Sequence, residues 1–338
     1  MSEPDSVGFL AAAPLFEGLQ RSDLIEVTRV MRRRSTSVGD VLWHQGTEAK
    51  GMALIVEGRV SVTLRLPGDR ALELTAAGPG ETLGELPLID GGPHSATARV
   101  TEAGSLLFLN RADFVALVSR DDPSAFALKR RFAGVTAQRL RRRLEDLGDS
   151  LGPRDAGSAA ADPAPTPDEL EFTGPADSAY IRRMETFRAV EGVELCGFLT
   201  AVRHARCPRG QTLEEEGAPA GALYMVINGA VEKVLVRGDR RIRVGLAGPG
   251  RAFGYEGLID GEPSPTTAVA RERALLLVLP PTAFARLFNG ESDDSLMFLD
   301  FINRDLAAWL RQAIRPQALL AVSPDGVAEP WLARSQSA

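Results

Sequence analysis

Gly78-Pro79-Gly80-Glu81-Thr82-Leu83-Gly84-Glu85-Leu86-Pro87-Leu88-Ile89-Asp90-Gly91 is the stretch on which the reading of this chain turns, because its punctuation comes back. Gly78-Pro79-Gly80 returns as Gly248-Pro249-Gly250, and Leu88-Ile89-Asp90-Gly91 as Leu258-Ile259-Asp260-Gly261, 170 positions on. Upstream, Gly39-Asp40, Gly46 and Gly58 return at Gly210, Gly217 and Gly229, 171 positions on. The one-residue slip falls between Gly58 and Gly78, as a loop deletion in a duplicated domain would produce. Solenoid repeats have periods of ~20–50 residues, so the repeated unit here is a whole domain.

The bulk numbers agree with two domains. A chain of 338 residues gives each copy enough length to bury a core. With 44% hydrophobic and 25% charged residues, the composition is that of a globular protein. A formal net charge of −6 weighs against nucleic acid as the main partner, since phosphate binding needs a basic face. Two cysteines, Cys196 and Cys207, are too few for a disulfide scaffold and read as free thiols in a reducing compartment. No basic segment followed by an apolar one opens the chain, and no run of ~18 apolar residues occurs, so a cytoplasmic protein without a membrane segment is expected.

The first module is read at residues 14–147. Leu15, Phe16, Leu19, Leu24, Val27, Val30 and Met31 mark short helical stretches. Val60-Ser61-Val62-Thr63-Leu64-Arg65-Leu66 alternates as a half-buried strand, Pro67-Gly68-Asp69 supplies a turn, and Leu72 and Leu74 begin the return strand. A closing helix starts at the cap Asp122 and at Pro123, which suits the first helical position. Ala133, Ala137, Leu140, Leu144 and Leu147 form its apolar stripe. Arg139, Arg141, Arg142 and Arg143 read as a solvated face near the helix C-terminus, ahead of a contact with nucleic acid or an acidic partner.

Residues 148–178, rich in Ala, Pro, Gly and Asp with Pro163, Pro165 and Pro167 alternating, read as an extended linker. Residues 179–315 form the second module, with a turn at Gly238-Asp239. Its closing helix carries Leu299, Ile302, Leu306, Trp309 and Ala313, and Pro316 is expected to stop it. The tail 316–338 reads as a frayed end in which Trp331 alone invites docking.

Short helices, a Gly-punctuated β-roll and a terminal amphipathic helix, twice over, resemble the cyclic nucleotide-binding domain. The first module carries the resemblance in Leu15-Phe16, Gly39-Asp40, Gly46, Ile55-Val56-Glu57-Gly58-Arg59-Val60, and Gly84-Glu85-Leu86 before Ala96-Thr97-Ala98. The second matches at Gly210, Gly217, Gly229-Ala230-Val231, Gly248-Pro249-Gly250 and Leu258-Ile259-Asp260. The resemblance implies a mainly β fold with flanking helices, built of two jelly-roll-type β-rolls. It also implies a ligand segment between two strands, where a Gly-Glu pair opens a short helix facing a cyclic phosphate. The Glu accepts from the ribose 2′-hydroxyl, and an Arg some nine positions on, beside Ser or Thr, forks onto the phosphate.

Carried over residue by residue, the first module's set is Gly84, Glu85, Leu86, His94 and Ser95, with His94 where the family has Arg. Neutral imidazole cannot supply a charged fork, whereas protonated imidazole can donate to an anion. The plainer reading, a turn residue after Pro93 that binds nothing, stands ahead. The second module's equivalents are Gly254, Tyr255, Glu256, Ser264 and Pro265. The carboxylate position is Tyr255, the cation position is Ser264, and Pro265 lacks a backbone donor. Glu256 stands in only after a one-residue shift, and nothing is seen to replace the cation, so this pocket is expected to be degenerate.

Enzyme chemistry finds no support. His44, His94 and His204 fall outside metal-ligand spacings, and no nucleophile elbow is present. A bacterial transcription regulator of this family would add a helix-turn-helix, and the 23 residues from Pro316 to Ala338 do not fit one. The tandem arrangement resembles the regulatory subunit of cyclic-AMP-dependent protein kinase. Arg32-Arg33-Arg34-Ser35-Thr36 invites a pseudosubstrate reading, but an ordinary surface turn is preferred. The expectation is a non-enzymatic regulator in signal transduction, with a cyclic nucleotide or nucleoside ligand and no cofactor or metal. The alternative is a ligand-free scaffold, using the closing helices to bind a protein partner or a second copy.

Overall fold

The computed structural model describes residues 3–68, 70–120, 122–152, 170–173, 196–238, 240–322 and 332–334. The proline-rich part of the expected linker, Asp69, Asp239 and Trp331 lie outside these residues, as does the side chain of Cys196. The chain divides into two compact units, 1–135 and 136–338.

In the first unit, α1 (Glu3–Ala12) and α2 (Arg21–Val30) precede β1 (Arg32–Thr36), β2 (Val41–Trp43) and the long β3 (Gly51–Arg65). Then come β4 (Ala71–Ala77), β5 (Thr82–Leu83), α3 (Leu86–Asp90), β6 (Thr97–Asn110) and α4 (Arg111–Val118). The sheet runs β1-β6-β3-β4, with β2 on β6 and β5 on β3, all antiparallel. The register of β3 on β6 shifts around Glu57 and Arg59, where the roll turns its corner. Gly58 makes that corner possible. Its φ is +88°, and a Cβ there would lie 2.5 Å from the Glu102 carbonyl oxygen.

The expectation for 32–36 is corrected. These residues form an edge strand rather than a turn, pairing Arg32 with Phe108 and Thr36 with Gly104. Arginines at an edge strand discourage pairing with another chain, and the Arg34 guanidinium covers the Phe108 ring at 4.0 Å. Helix α1, which carried no sequence expectation, buries Val7 and Leu10 in the same core as Leu15, Phe16, Leu24 and Val27.

Helix α5 (Pro123–Asp149) starts as read, with Asp122 accepting from the Ala125 amide at 2.8 Å. Leu128 and Phe132 join the first unit's core. From Thr136 onward the helix belongs to the second unit, where Ala137, Leu140, Leu144 and Leu147 are fully buried.

The second unit continues with β7 (Glu171–Thr173), α6 (Cys196–Ala201), β8 (Arg203–Cys207), β9 (Thr212–Glu214), β10 (Leu223–Asn228) and β11 (Val231–Arg237). β12 (Arg240–Ala247), β13 (Ala252–Phe253), α7 (Glu256–Asp260), β14 (Thr267–Ala270) and β15 (Ala274–Leu279) follow. The unit ends with α8 (Pro281–Asn289), α9 (Asp293–Val322) and β16 (Leu332–Arg334). Two five-stranded sheets form, ordered β13-β10-β15-β8-β7 and β16-β12-β11-β14-β9. The corner made by Gly58 recurs at Gly229, again at φ +88° and 2.5 Å from a carbonyl oxygen, that of Arg273. Here the long strand of the first unit is split into β10 and β11.

The duplication extends to single hydrogen bonds. Gly39 donates to Val100 at 2.9 Å and Gly210 to Ala270 at 2.8 Å. Gly80 donates to Ile55 and Gly250 to Val226, both at 2.9 Å.

Three readings change in this unit. Glu171–Thr173, inside the stretch read as linker, pairs with β8, and the Arg203 guanidinium stacks 3.5 Å from the Phe172 ring. Leu332–Arg334, inside the stretch read as frayed, pairs with β12. Helix α9 does not stop at Pro316 but continues to Val322. A proline removes one helical hydrogen bond, but Pro316, Ala313 and Ile314 are buried, so packing carries the helix across it.

Candidate functional site

In the first module, Gly84 links β5 to α3 at φ +83°, and a Cβ on it would meet the Trp43 ring at 2.9 Å. Trp43, at the end of β2, stacks on His94 with ring centroids 4.5 Å apart and planes 8° from parallel. The indole therefore lies against both Gly84 and His94, which brings the two ends of the expected segment together. His94 is fixed at its backbone as well: its N–H donates to Thr47 O at 2.9 Å, and its carbonyl accepts from the Gly46 amide at 2.8 Å. Glu85 caps the start of α3, its carbonyl accepting from Leu88 at 2.9 Å and Ile89 at 3.2 Å. Glu85 and His94 are each 4% exposed, Leu86 is buried and Ser95 half-buried. The helix ends at Gly91 in the left-handed conformation. A buried carboxylate that accepts from hydroxyls thus stands in one segment with an imidazole that donates when protonated.

The second module keeps this backbone and spends the side chains differently. Gly217 donates to Ser264 O and Ser264 to Ala218 O, both at 2.8 Å, repeating the pattern around His94. Tyr255, the equivalent of Glu85, gives its hydroxyl to Asp305 of α9 at 2.6 Å. Burial, and then the Asp305 charge, push the Tyr255 phenol well above its ordinary range. Glu256 is bound to the ammonium of Lys233, both fully buried. Burial pulls the Lys233 pKa down, but Glu256 and Glu214 outweigh it, and the net shift is upward.

The expectation that no cation stands near the second segment is therefore corrected: Lys233 does, and it is committed to Glu256. Lys233 was hidden because it sits in an inward position of β11, in the sequence Val231-Glu232-Lys233-Val234. The available signal was the repeat itself. An offset of 171 maps Lys233 onto Val62 and Glu214 onto Trp43, so charges stand where the first copy is apolar.

Ser264 and Pro265 line a cavity of about 450 Å³ with Glu216, Arg237, Glu262 and Arg141. Both guanidiniums are engaged there. Arg237 forks onto Glu216 at 3.0 and 2.9 Å. Arg141 forks onto Asp260 at 2.8 and 2.9 Å and donates to Pro263 O at 2.6 Å. The reading of the α5 arginines as solvated is corrected for Arg141, and for Arg143, which is half-buried and donates to Gln317 at 2.7 Å. The cause is tertiary pairing, which a single helix's sequence does not display.

Two β-rolls, each with a Gly-led turn opening a short helix between its strands, define a duplicated β-roll fold. The family model of the cyclic nucleotide-binding domain matches residues 33–121 and 205–291, together more than half of the chain, and the chain belongs to that family. A cyclic nucleotide-gated potassium channel of Mesorhizobium japonicum is 39% identical over 133 residues, covering 38% of this chain and 36% of the channel. The cyclic AMP receptor protein of Thermus thermophilus is 33% identical over 132 residues, covering 39% of this chain and 59% of the receptor. The matches thus span about a third of the channel and under two thirds of the receptor. Among solved structures, the regulatory domain of Toxoplasma gondii PKA with cAMP matches over 88% of this chain and 94% of its own, at 18% identity and a TM-score of 0.34. Among the described residues, no helix is long and apolar enough to cross a membrane, and no three or more His, Cys, Asp or Glu side chains gather as a metal site would need.

Proposed function

We propose that the protein is a non-enzymatic regulator that binds a cyclic nucleotide, or a nucleoside, in its first module. One observation carries this reading. The first module holds Glu85 and His94 buried in the segment where the family has its ribose and phosphate contacts, with His94 stacked on Trp43, whereas Tyr255 and Ser264 stand at those positions in the second. Glu85 is assigned to the ribose hydroxyl, and His94 with Ser95 to the anion, at the turn formed by Gly84 and Leu86. The second pocket, at Gly254, Tyr255, Glu256, Ser264 and Pro265, is assigned no nucleotide.

The buried stripes of α5 and α9 support this over a scaffold that offers those helices to a partner. We place the protein in the cytoplasm of a bacterium, in keeping with its bacterial relatives.

Calorimetric titration of the Glu85→Gln and His94→Arg variants tests the assignment. Glu85→Gln should weaken cyclic nucleotide and nucleoside alike, by roughly tenfold or more for a lost charged hydrogen bond of about 1.5–3 kcal/mol. His94→Arg should strengthen cyclic AMP and leave adenosine unchanged, because only the former carries a phosphate. Equal effects of His94→Arg on both ligands would remove His94 from the anion site.

A further inference from the structure

Glu214, on β9, has a buried side chain whose two carboxylate oxygens meet no donor with hydrogen-bonding geometry among the described residues. It is not alone in its compartment. Ala268 of β14 pairs with Glu214 on one side and with Lys233 of β11 on the other, which sets Glu214 and Lys233 in one row across the sheet, and Lys233 binds Glu256 of α7. Tyr224 of β10 and Arg141 of α5 also face Glu214, and the Ser264 hydroxyl lies close without closing a bond. β14, which pairs with β9, places Ala268 opposite Glu214 and adds no charge. On its own strand's continuation, Glu216 is taken up by Arg237.

Charge balance decides what such a compartment holds. Two carboxylates and one ammonium leave an excess negative charge in a region shielded from water, and an uncompensated buried charge is costly. Arg141 offsets it only in part, because its fork is turned on Asp260. The first module shows that the fold does not require these charges: the equivalent positions are Trp43, Val62 and Leu86.

We propose that the second module is a proton-binding site. Glu214, enclosed with Glu256 and the single Lys233, takes up one proton and returns it to solvent, and its charge state is felt by Arg141 on α5.

The electrostatics support the geometry. Burial, opposed in part by Lys233 and reinforced by Glu256, pushes the Glu214 carboxyl up to about 7. A carboxyl raised in the folded state adds stability that is complete below its unfolded value of about 4.3 and is lost as pH rises through the folded value. The second unit should therefore lose stability as pH rises from about 4 to about 7. Deprotonated Glu214 attracts Arg141, so by reciprocity removing Arg141 must make the proton bind more tightly.

The test is a carbon-13 NMR titration of the full chain labelled at its glutamate carboxyl carbons, with Glu214→Gln identifying the resonance. The expected midpoint lies within about one unit of 7, and moves upward in Arg141→Gln. A Glu214 midpoint in the ordinary carboxylate range of about 4–5 would overturn the proposal. An unmoved midpoint in Arg141→Gln would overturn the link to α5. Thermal unfolding gives an independent readout: the native chain should lose more stability than Glu214→Gln between about pH 5 and about pH 7, because His204, whose pKa burial lowers in the same unit, contributes alike to both. Parallel pH profiles for the two chains would also contradict the proposal.

Discussion

Gly58 and Gly229 hold the two roll corners at φ +88° with no room for a methyl group, because a Cβ at either would lie 2.5 Å from a carbonyl oxygen. Gly58→Ala and Gly229→Ala should each destabilise their own unit by about 1–3 kcal/mol, measurable by denaturant unfolding. An equivalent substitution at Gly39, where φ is positive but space is open, should cost less. Lys233→Met is the sharper single-residue test. It strands Glu256 in the core and should cost about 3–5 kcal/mol, whereas the double variant Lys233→Met, Glu256→Leu should recover much of the loss. These residues differ in how visibly they stood in the sequence. The glycines were legible because they recur at fixed offsets and need a backbone only glycine adopts freely. Lys233 and Glu214 were not, because a charged residue in a strand reads as exposed until its partners across the fold are known.

The helices were legible through their periodicity. The stripe Ala133, Ala137, Leu140, Leu144, Leu147 of α5 and the stripe Leu299, Ile302, Leu306, Trp309, Ala313 of α9 are all buried. Their ends and polar faces were less so. Pro316 reads locally as a stop and is overridden by packing, and Arg141 reads as solvated and is paired with Asp260. Polar contacts then fix α9 on its roll. Asp305 accepts from the Tyr255 hydroxyl and from Arg251 at 2.5 Å, while the Trp309 indole donates to Ala252 O at 2.7 Å and lies under the Arg251 guanidinium. Asp305→Ala orphans the buried Tyr255 hydroxyl and should destabilise the second unit by about 2–4 kcal/mol. Hydrogen exchange should report it first in β13 and in the middle of α9. Asp305→Asn, which keeps an acceptor for Tyr255, should cost less.

For the whole molecule, the duplication could be read from spaced glycines and one repeated motif, and the β-roll class from the family resemblance that those residues carry. Glu85 and His94 emerged from the same motif, and the structure adds Trp43, whose stack on His94 joins residues far apart in sequence. What remained hidden was how the two copies diverged: charged groups inside the second module, and arginines of α5 paired there. Both arise from contacts between distant segments, to which local pattern is blind. The account therefore assigns the two copies different ligands, a nucleotide or nucleoside to the first and a proton to the second. Its central claim, that only the first module takes a nucleotide, is tested most directly by calorimetric titration of the intact chain with cyclic AMP, cyclic GMP and adenosine. The predicted result is one site per chain for at least one of the three, weakened by roughly tenfold or more in Glu85→Gln and unchanged in Glu256→Gln. Two sites per chain, no binding at all, or a site whose affinity is unchanged in Glu85→Gln would contradict it.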